Sequence, residues 1–157
     1  MSRRKKIKNN TVIKDYNYSN YLIGKTINYL MYSGKKSKAE NILYKSFNIV
    51  IEKLNFNDVV VMFSRVVENL KPIVEVKSRK IGGNTYQIPI EVKKKRGVSL
   101  AIKWIILASR KRKEKNSIYK IAGELIDALY KRGSAYKKKN DIYKIAEANK
   151  AFSHYRW

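Results

Sequence analysis

Cysteine is absent from this chain of 157 residues, and histidine occurs once, at His154. Without cysteine there is no disulfide framework, no thiolate metal site and no cysteine nucleophile, and nothing points to secretion. A lone histidine without clustered carboxylates makes no convincing metal site. As a general base it would need an oriented nucleophile, and the sequence supplies none. Proline is limited to two residues and glycine to seven, with no Pro/Gly/Ser linker. One domain spanning 1–157 is therefore expected, long enough to bury roughly 70% of its unfolded surface. Long apolar runs are missing too. The longest, residues 59–63 and 104–108, fall far short of the roughly 18 that suggest a membrane span. The basic start MSRRKKIKNN is not followed by the apolar stretch of a signal peptide and lacks transit-peptide character, so the protein is expected to act where it is made.

Acids are scarce as well, 12 against 36 basic residues, for a formal net charge of +24. That excess exceeds what solubility needs and makes polyanions the natural partners. Its distribution is informative. Residues 1–14 hold six basic residues and no acid, 71–115 hold fourteen against three, and 131–157 hold eight against two. Elsewhere the charges nearly balance. Clustering of this kind describes a footprint on nucleic acid better than a solvated face.

What is present is core material, 44% apolar and 11% aromatic, and it is patterned. Residues 1–18 read as an extended basic arm. Leu22, Ile23, Ile27, Leu30 and Met31 mark a helix over 20–32, with Gly34 just past its end. The run from Ser37 to Glu40 has the form of a capping box, followed by an amphipathic helix through Ala39, Leu43, Phe47 and Val50. Asn57 or Asp58 is suited to cap a third helix, which Pro72 stops. Leu100, Trp104, Ile105 and Ala108 mark a fourth helix that ends in cations. A fifth starts near Ser117 and is closed by Gly133, with Glu124 and Asp127 expected on its outside. Ser134 opens a sixth with Ala135, Ile142, Ile145 and Ala146 inward.

Between the third and fourth helices, residues 73–92 have strand period. Val74 and Val76 alternate with Glu75 and Lys77, and Tyr86, Ile88, Ile90 and Val92 repeat after Gly82-Gly83. A Gly-Gly pair supplies the positive φ angles of a tight hairpin turn. These glycines form no phosphate-cradling loop, since neither G-x-x-x-x-G-K-[ST] nor G-x-G-x-x-G occurs. A two-stranded ribbon is marginal alone in water, so a basic one carrying Lys77, Arg79 and Lys80 is expected to touch something anionic. Basic and aromatic residues interleave at Arg79, Lys80 and Tyr86, at 136–139 and at 154–157, a pairing that can stack bases and hold phosphates. Tyr86 is equally suited to pack on its own ribbon, and Trp104 sits at core spacing. The acids are too few and scattered for a catalytic pair.

Four segments carry a resemblance: GKKSKAE at 34–40, VEVKSRKIGGNTYQIPIEV within 72–92, residues 100–112, and AEANKAFSHYRW at the end. In this order, across nearly the whole chain, they resemble the universal family of small-subunit ribosomal proteins that the bacterial numbering calls seven. The resemblance implies a bundle of six helices with a β-ribbon between the third and fourth, in agreement with the periodicity. It implies a non-enzymatic protein without cofactor that binds the 3′ major, or head, domain of small-subunit rRNA. Such a protein helps start head assembly and lies near the exit-site tRNA and the mRNA exit, beside neighbouring head and platform proteins, with no membrane or small-molecule partner. Carried over position by position, the rRNA surface is Arg3, Arg4, Lys5, Lys35, Lys36, Lys77, Arg79, Lys93, Lys94, Lys95, Arg96, Arg110 and Arg112. The tip, with Lys80, Gly82, Gly83 and Tyr86, is implied to face the tRNA, and the tail with Tyr155 and Trp157 to point toward the platform. Compact length and a Lys/Asn/Ile/Tyr bias suggest a plastid-encoded member first and an AT-rich bacterium second. Two rival classes remain: a DNA-bending protein that grips with its β-arm, and a basic enzyme centred on His154.

Overall fold

The computed structural model describes residues 14–155 of the chain. The expectations placed on Arg3, Arg4, Lys5, Trp157 and the Tyr155 side chain fall outside the described residues. The Asp15 carboxylate is buried, accepting from the Tyr18 backbone N–H at 3.0 Å and from the Tyr44 hydroxyl. Tyr18 in turn meets Tyr44 and Phe47 edge-on, at 5.7 and 6.3 Å between ring centres. Helix α1 (Tyr21–Leu30) follows, capped by Asn20, whose side chain accepts from the Leu22 and Ile23 amides. It ends earlier than its apolar spacing suggests. Ser33 and Gly34, both left-handed with φ of +50° and +74°, then reverse the chain.

Helix α2 (Lys36–Leu54) departs from expectation at its start. It begins one residue before Ser37, so that hydroxyl sits inside the first turn and no capping box forms; Glu40 pairs with Lys36 at 3.6 Å instead. Helix α3 (Val59–Leu70) is capped by Asp58, which accepts from the Val60 amide at 2.7 Å. After Pro72 come strands β1 (Val74–Ile81) and β2 (Asn84–Glu91), antiparallel, with Ile81 opposite Asn84 across a two-residue turn. Gly82 and Gly83 adopt φ of +56° and +88°, values that cost most side chains energy. Helices α4 (Lys94–Lys111), α5 (Ser117–Leu129) and α6 (Gly133–Ala148) complete the set, and a 3-10 segment, Lys150–Tyr155, closes it.

Phe47 and Phe63 sit 5.4 Å apart within one apolar cluster to which all six helices contribute buried residues. Fully burying side chains such as Phe47, Leu43 and Leu125 favours folding by about 1.5–3 kcal/mol each. Trp104, 4% exposed, belongs to this core. The ribbon does not stand alone. Its base is buried at Ile88 and Pro89, α6 lies against β1, and the 3-10 segment lies against β2, where Phe152 meets Tyr86 at 5.1 Å. Those contacts supply the apolar cover that an isolated hairpin lacks.

Three inward-outward expectations are corrected around α5 and α6. Glu124 is not outside but fully buried, and Asp127 is partly so. The left-handed residue after α5 is Lys131 (φ +56°), while Gly133 (φ +89°) opens α6. A Cβ on Gly133 would lie 2.8 Å from Asp127 Cβ and 3.1 Å from Glu124 Oε1, so the close approach requires glycine. Ile145, expected inward, is 42% exposed, because α6 buries only Ala135 and Ala146 fully against its neighbours.

Candidate nucleic-acid interface

The cations at the root of the ribbon are gathered by three local devices. The first is the register. Strand pairing sets Glu75 opposite Ile90, Lys77 opposite Ile88 and Arg79 opposite Tyr86, so Lys77 and Arg79 share one face with Tyr86. Lys80 alternates onto the other face, opposite Thr85. The turn that follows, with Gly82 and Gly83, is exposed.

The second device is the start of α4. The run Lys93–Arg96 forms it: Lys93 is the N-cap residue of α4 and the next three residues make its first turn. The Val92 amide donates to Ile73 O at 2.8 Å, which pins this turn directly to the base of the hairpin. Gly97 lets it come closer still, since a Cβ there would lie 3.1 Å from Lys71 Cγ and 3.3 Å from Pro72 O. Lys71 is thereby laid across the same turn. From α1, Lys25 Nζ donates to Ser99 Oγ at 2.6 Å, and Ser99 donates on to Lys95 O. Helix packing therefore adds Lys25 and Lys71 to a cluster in which the sequence had shown only neighbours in the chain.

Glu75 is the third device. It is 9% exposed, and both its oxygens accept from Arg96 Nε, at 2.9 and 2.8 Å, while Lys77 Nζ stands 3.6 Å away. One inward carboxylate thus holds two cations, one from β1 and one from α4, in register. Using Nε leaves the two terminal nitrogens of Arg96, a side chain 56% exposed, facing outward for a phosphate. Lys93, Lys94 and Lys95 are exposed, and no salt bridge among the described residues engages them. Glu91, at the end of β2, is exposed beside them. What the arrangement can do is bind anions along a surface. Among the described residues no group of three or more His, Asp or Glu could hold a metal.

Other expected contacts lie elsewhere. Lys35 and Lys36 sit at the junction of α1 and α2. Arg110 is exposed but stands at the far end of α4, roughly 24 Å from Lys94 at 1.5 Å per residue. Arg112, expected on the rRNA surface, has its guanidinium engaged within the fold. Nε donates to Glu114 at 2.8 Å, and Nη1 donates to Glu124 at 3.1 Å and to Asp127 at 2.7 Å. Glu124 also accepts from the Ala135 amide at 2.9 Å, so it caps α6 from inside. Burial opposes the charge on Arg112, yet the hydrogen bonds to Asp127, Glu114 and Glu124 prevail and raise its pKa above the ordinary value. The same guanidinium holds the Glu114 carboxyl below its usual range.

Tyr86, expected at the tip, has Phe152 as an aromatic neighbour, and His154 is exposed with Nδ1 2.8 Å from Ala151 O. Two residues with clear roles escaped the reading of spacing. Glu124 lies three residues after Ile121 and four before Ala128, squarely on the apolar stripe, which is the signal that marks it. Glu75 has a weaker one: it stands two residues before Lys77, on the strand face that carries Lys77 and Arg79.

Comparison with known proteins points to one family. Residues 2–150 match the family described as ribosomal protein S7p/S5e. A protein of Campylobacter hominis named small ribosomal subunit protein uS7 is 51% identical over 155 residues, covering 99% of each chain. Proteins of the same name from Hydrogenovibrio crunogenus and Mesomycoplasma hyopneumoniae are 46% and 49% identical over 157 residues, all of both chains.

Proposed function

The chain belongs to the ribosomal protein S7p/S5e family, and from that premise we propose that it is a non-enzymatic structural constituent of the small ribosomal subunit. Its work in translation is to bind rRNA of the subunit head and help that head assemble. One observation carries the reading. Lys25, Lys71, Lys77, Lys93, Lys94, Lys95 and Arg96 converge on the root of the ribbon, and the carboxylate set among them, Glu75, is turned inward. Such a surface neutralises phosphates and releases counterions, while the ribbon adds shape recognition where RNA helices meet.

Finer placements follow the family. The tip, with Lys80, Gly82, Gly83 and Tyr86, faces the exit-site tRNA, and the tail lies near the mRNA exit and the platform proteins. Arg3, Arg4 and Lys5 extend the rRNA surface, and Lys35, Lys36, Arg79 and Arg110 reach further rRNA phosphates. The compositional bias suits a plastid or an AT-rich bacterium; the relatives named above are bacterial, which supports the bacterial cytoplasm.

The test is filter binding to a head-domain rRNA fragment across a salt series. Neutralising Lys77 with Gln and reversing Arg79 with Glu should weaken binding at least tenfold. The slope of log K against log salt should fall by about 1.4–1.8, the value for two lost phosphate contacts, with the helical CD signal unchanged. Unchanged affinity would remove the ribbon from the interface. Preference for duplex DNA in competition would favour the DNA-bending alternative, and turnover abolished by His154→Ala would revive the enzymatic one.

A further inference from the structure

Fourteen basic residues share 71–115 with three acids, and each acid has a different setting. Glu114 pairs with Arg112, and Glu91 is exposed at the end of β2. Glu75 stands among the cations of the ribbon root, 9% exposed. A carboxylate there opposes any phosphate that approaches, so a surface built for bulk attraction would gain by losing it. Folding does not account for it either. Its partners Arg96 and Lys77 have side chains 56% and 52% exposed, and ion pairs so open to water contribute little to stability.

What the carboxylate does provide is geometry. Arg96 Nε donates to both of its oxygens, at 2.9 and 2.8 Å, which sets the plane of the guanidinium and directs the two terminal nitrogens away from Glu75. Lys77 Nζ stands 3.6 Å from the same group, so a cation of β1 and a cation of α4 are spaced through one shared partner. Against the carboxylate lies a hollow of about 320 Å³ whose lining includes Leu100, Trp104 and Ile142 and no cation. Among the described residues, Glu75 is therefore balanced by Arg96 and Lys77 alone. A preset fork loses less freedom on meeting a phosphate than a loose side chain does, and it fits one spacing of phosphates better than others. Resting on the rRNA reading above, we propose that Glu75 is a positioning residue that gives the ribbon root its selectivity. It lowers affinity for polyanions in general and raises it for the RNA shape whose phosphates match Arg96 and Lys77.

The test measures binding of the full chain to a head-domain rRNA fragment and to an unrelated RNA duplex of equal length, at one salt concentration. Glu75→Gln keeps the size and removes the charge. It should weaken binding to the rRNA fragment by about tenfold, the scale of one charge-assisted contact. It should strengthen binding to the duplex by up to about fivefold, the scale of one like charge removed near a phosphate. Glu75→Asp keeps the charge and shortens the reach, so it should lose rRNA affinity with duplex affinity unchanged. Arg96→Lys should resemble Glu75→Gln on the rRNA fragment, and adding Glu75→Gln to it should cost little more, because Glu75 acts through the guanidinium. Melts by CD separate these changes from loss of fold, which would weaken both RNAs alike. If Glu75→Gln tightens binding to both RNAs, or weakens both by the same factor, the inference is overturned, while the parent's preference for the rRNA fragment keeps the rRNA reading intact. A parent without that preference would overturn both.

Discussion

Removing the Arg112 guanidinium should unfold the protein sooner while sparing its rRNA surface. Arg112→Ala takes away the cation that Glu124 and Asp127 accept from, at 3.1 and 2.7 Å. Glu124 has no exposed side-chain surface, so its charge stays buried with the Ala135 amide as its remaining donor. Breaking a buried pair by deleting one partner costs about 3–5 kcal/mol. Arg112 itself is 24% exposed, and water entering the gap screens the residual charge, so the lower end, about 3 kcal/mol, applies. At about 2–4 °C per kcal/mol for a domain of this size, the melting temperature should fall by about 6–12 °C. Thermal melts by CD check this, with Arg110→Ala as control; that side chain is exposed, and its loss should stay within about 0.5 kcal/mol. Adding Glu124→Gln to Arg112→Ala should restore part of the loss, because the stranded charge goes with it. If Arg112→Ala melts with the parent and instead loses rRNA affinity, the guanidinium is an RNA contact and the network argument fails.

Tyr44 has its pKa pushed up, first by burial and then by its hydrogen bond to Asp15, so the unfolded chain ionises first. The stability it confers is complete below the unfolded value near 10 and is lost as pH rises beyond it. Tyr44→Phe should flatten that alkaline decline in a series of melts, and an unchanged slope would show the Asp15 bond to be inert. Gly133→Ala should cost more than about 1 kcal/mol by denaturant titration, since positive φ and a 2.8 Å approach to Asp127 Cβ both oppose a side chain. Gly82→Ala, with nothing within 4 Å, meets the φ penalty alone; equal costs would refute the crowding argument. Lys94→Glu with Lys95→Glu should stabilise the free protein by about 0.3–1 kcal/mol per residue, seen as a higher melting temperature, and lower rRNA affinity. A variant less stable than its parent would count against a charge conflict at the start of α4.

Helix order, the ribbon and most of the core were legible because burial here follows period. Ile23 and Ile27, Phe47, Met62 and Phe63, and Ile121 and Leu125 stand where 3.6-residue spacing puts them. Asn20 and Asp58 cap as their chemistry suggests. Polar residues whose partners lie far along the chain were not legible. Glu124 meets Ala135 and Arg112, and Lys25 meets Ser99, only because helices pack. The capping box at Ser37 failed for a local reason: left-handed Ser33 and Gly34 let the helix start at Lys36, and a box displaced by one residue no longer closes. Of the basic surface, the run at 93–96 was visible as composition. Its place in a helix turn was not, since four consecutive cations carry no period.

That placement separates what the fold requires from what a partner requires. A helix N-terminus concentrates partial positive charge and unpaired N–H groups, and it favours acids. The first turn of α4 has no acid and begins without a side-chain cap. At the opposite end of the same helix, Arg110 and Lys111 complement the dipole and stabilise it. One end is therefore charged as a free protein would want it, and the other is charged against its own interest. Glu75 relieves Arg96 but leaves the three lysines opposed only by solvent. Sequences under selection for stability alone readily shed such conflicts. A polyanion resolves this one at a stroke, because phosphate oxygens satisfy the lysines, the free amides and the dipole together. The energetic cost borne by the unbound chain at Lys93, Lys94 and Lys95 is thus itself an argument for the proposed contact with RNA phosphates.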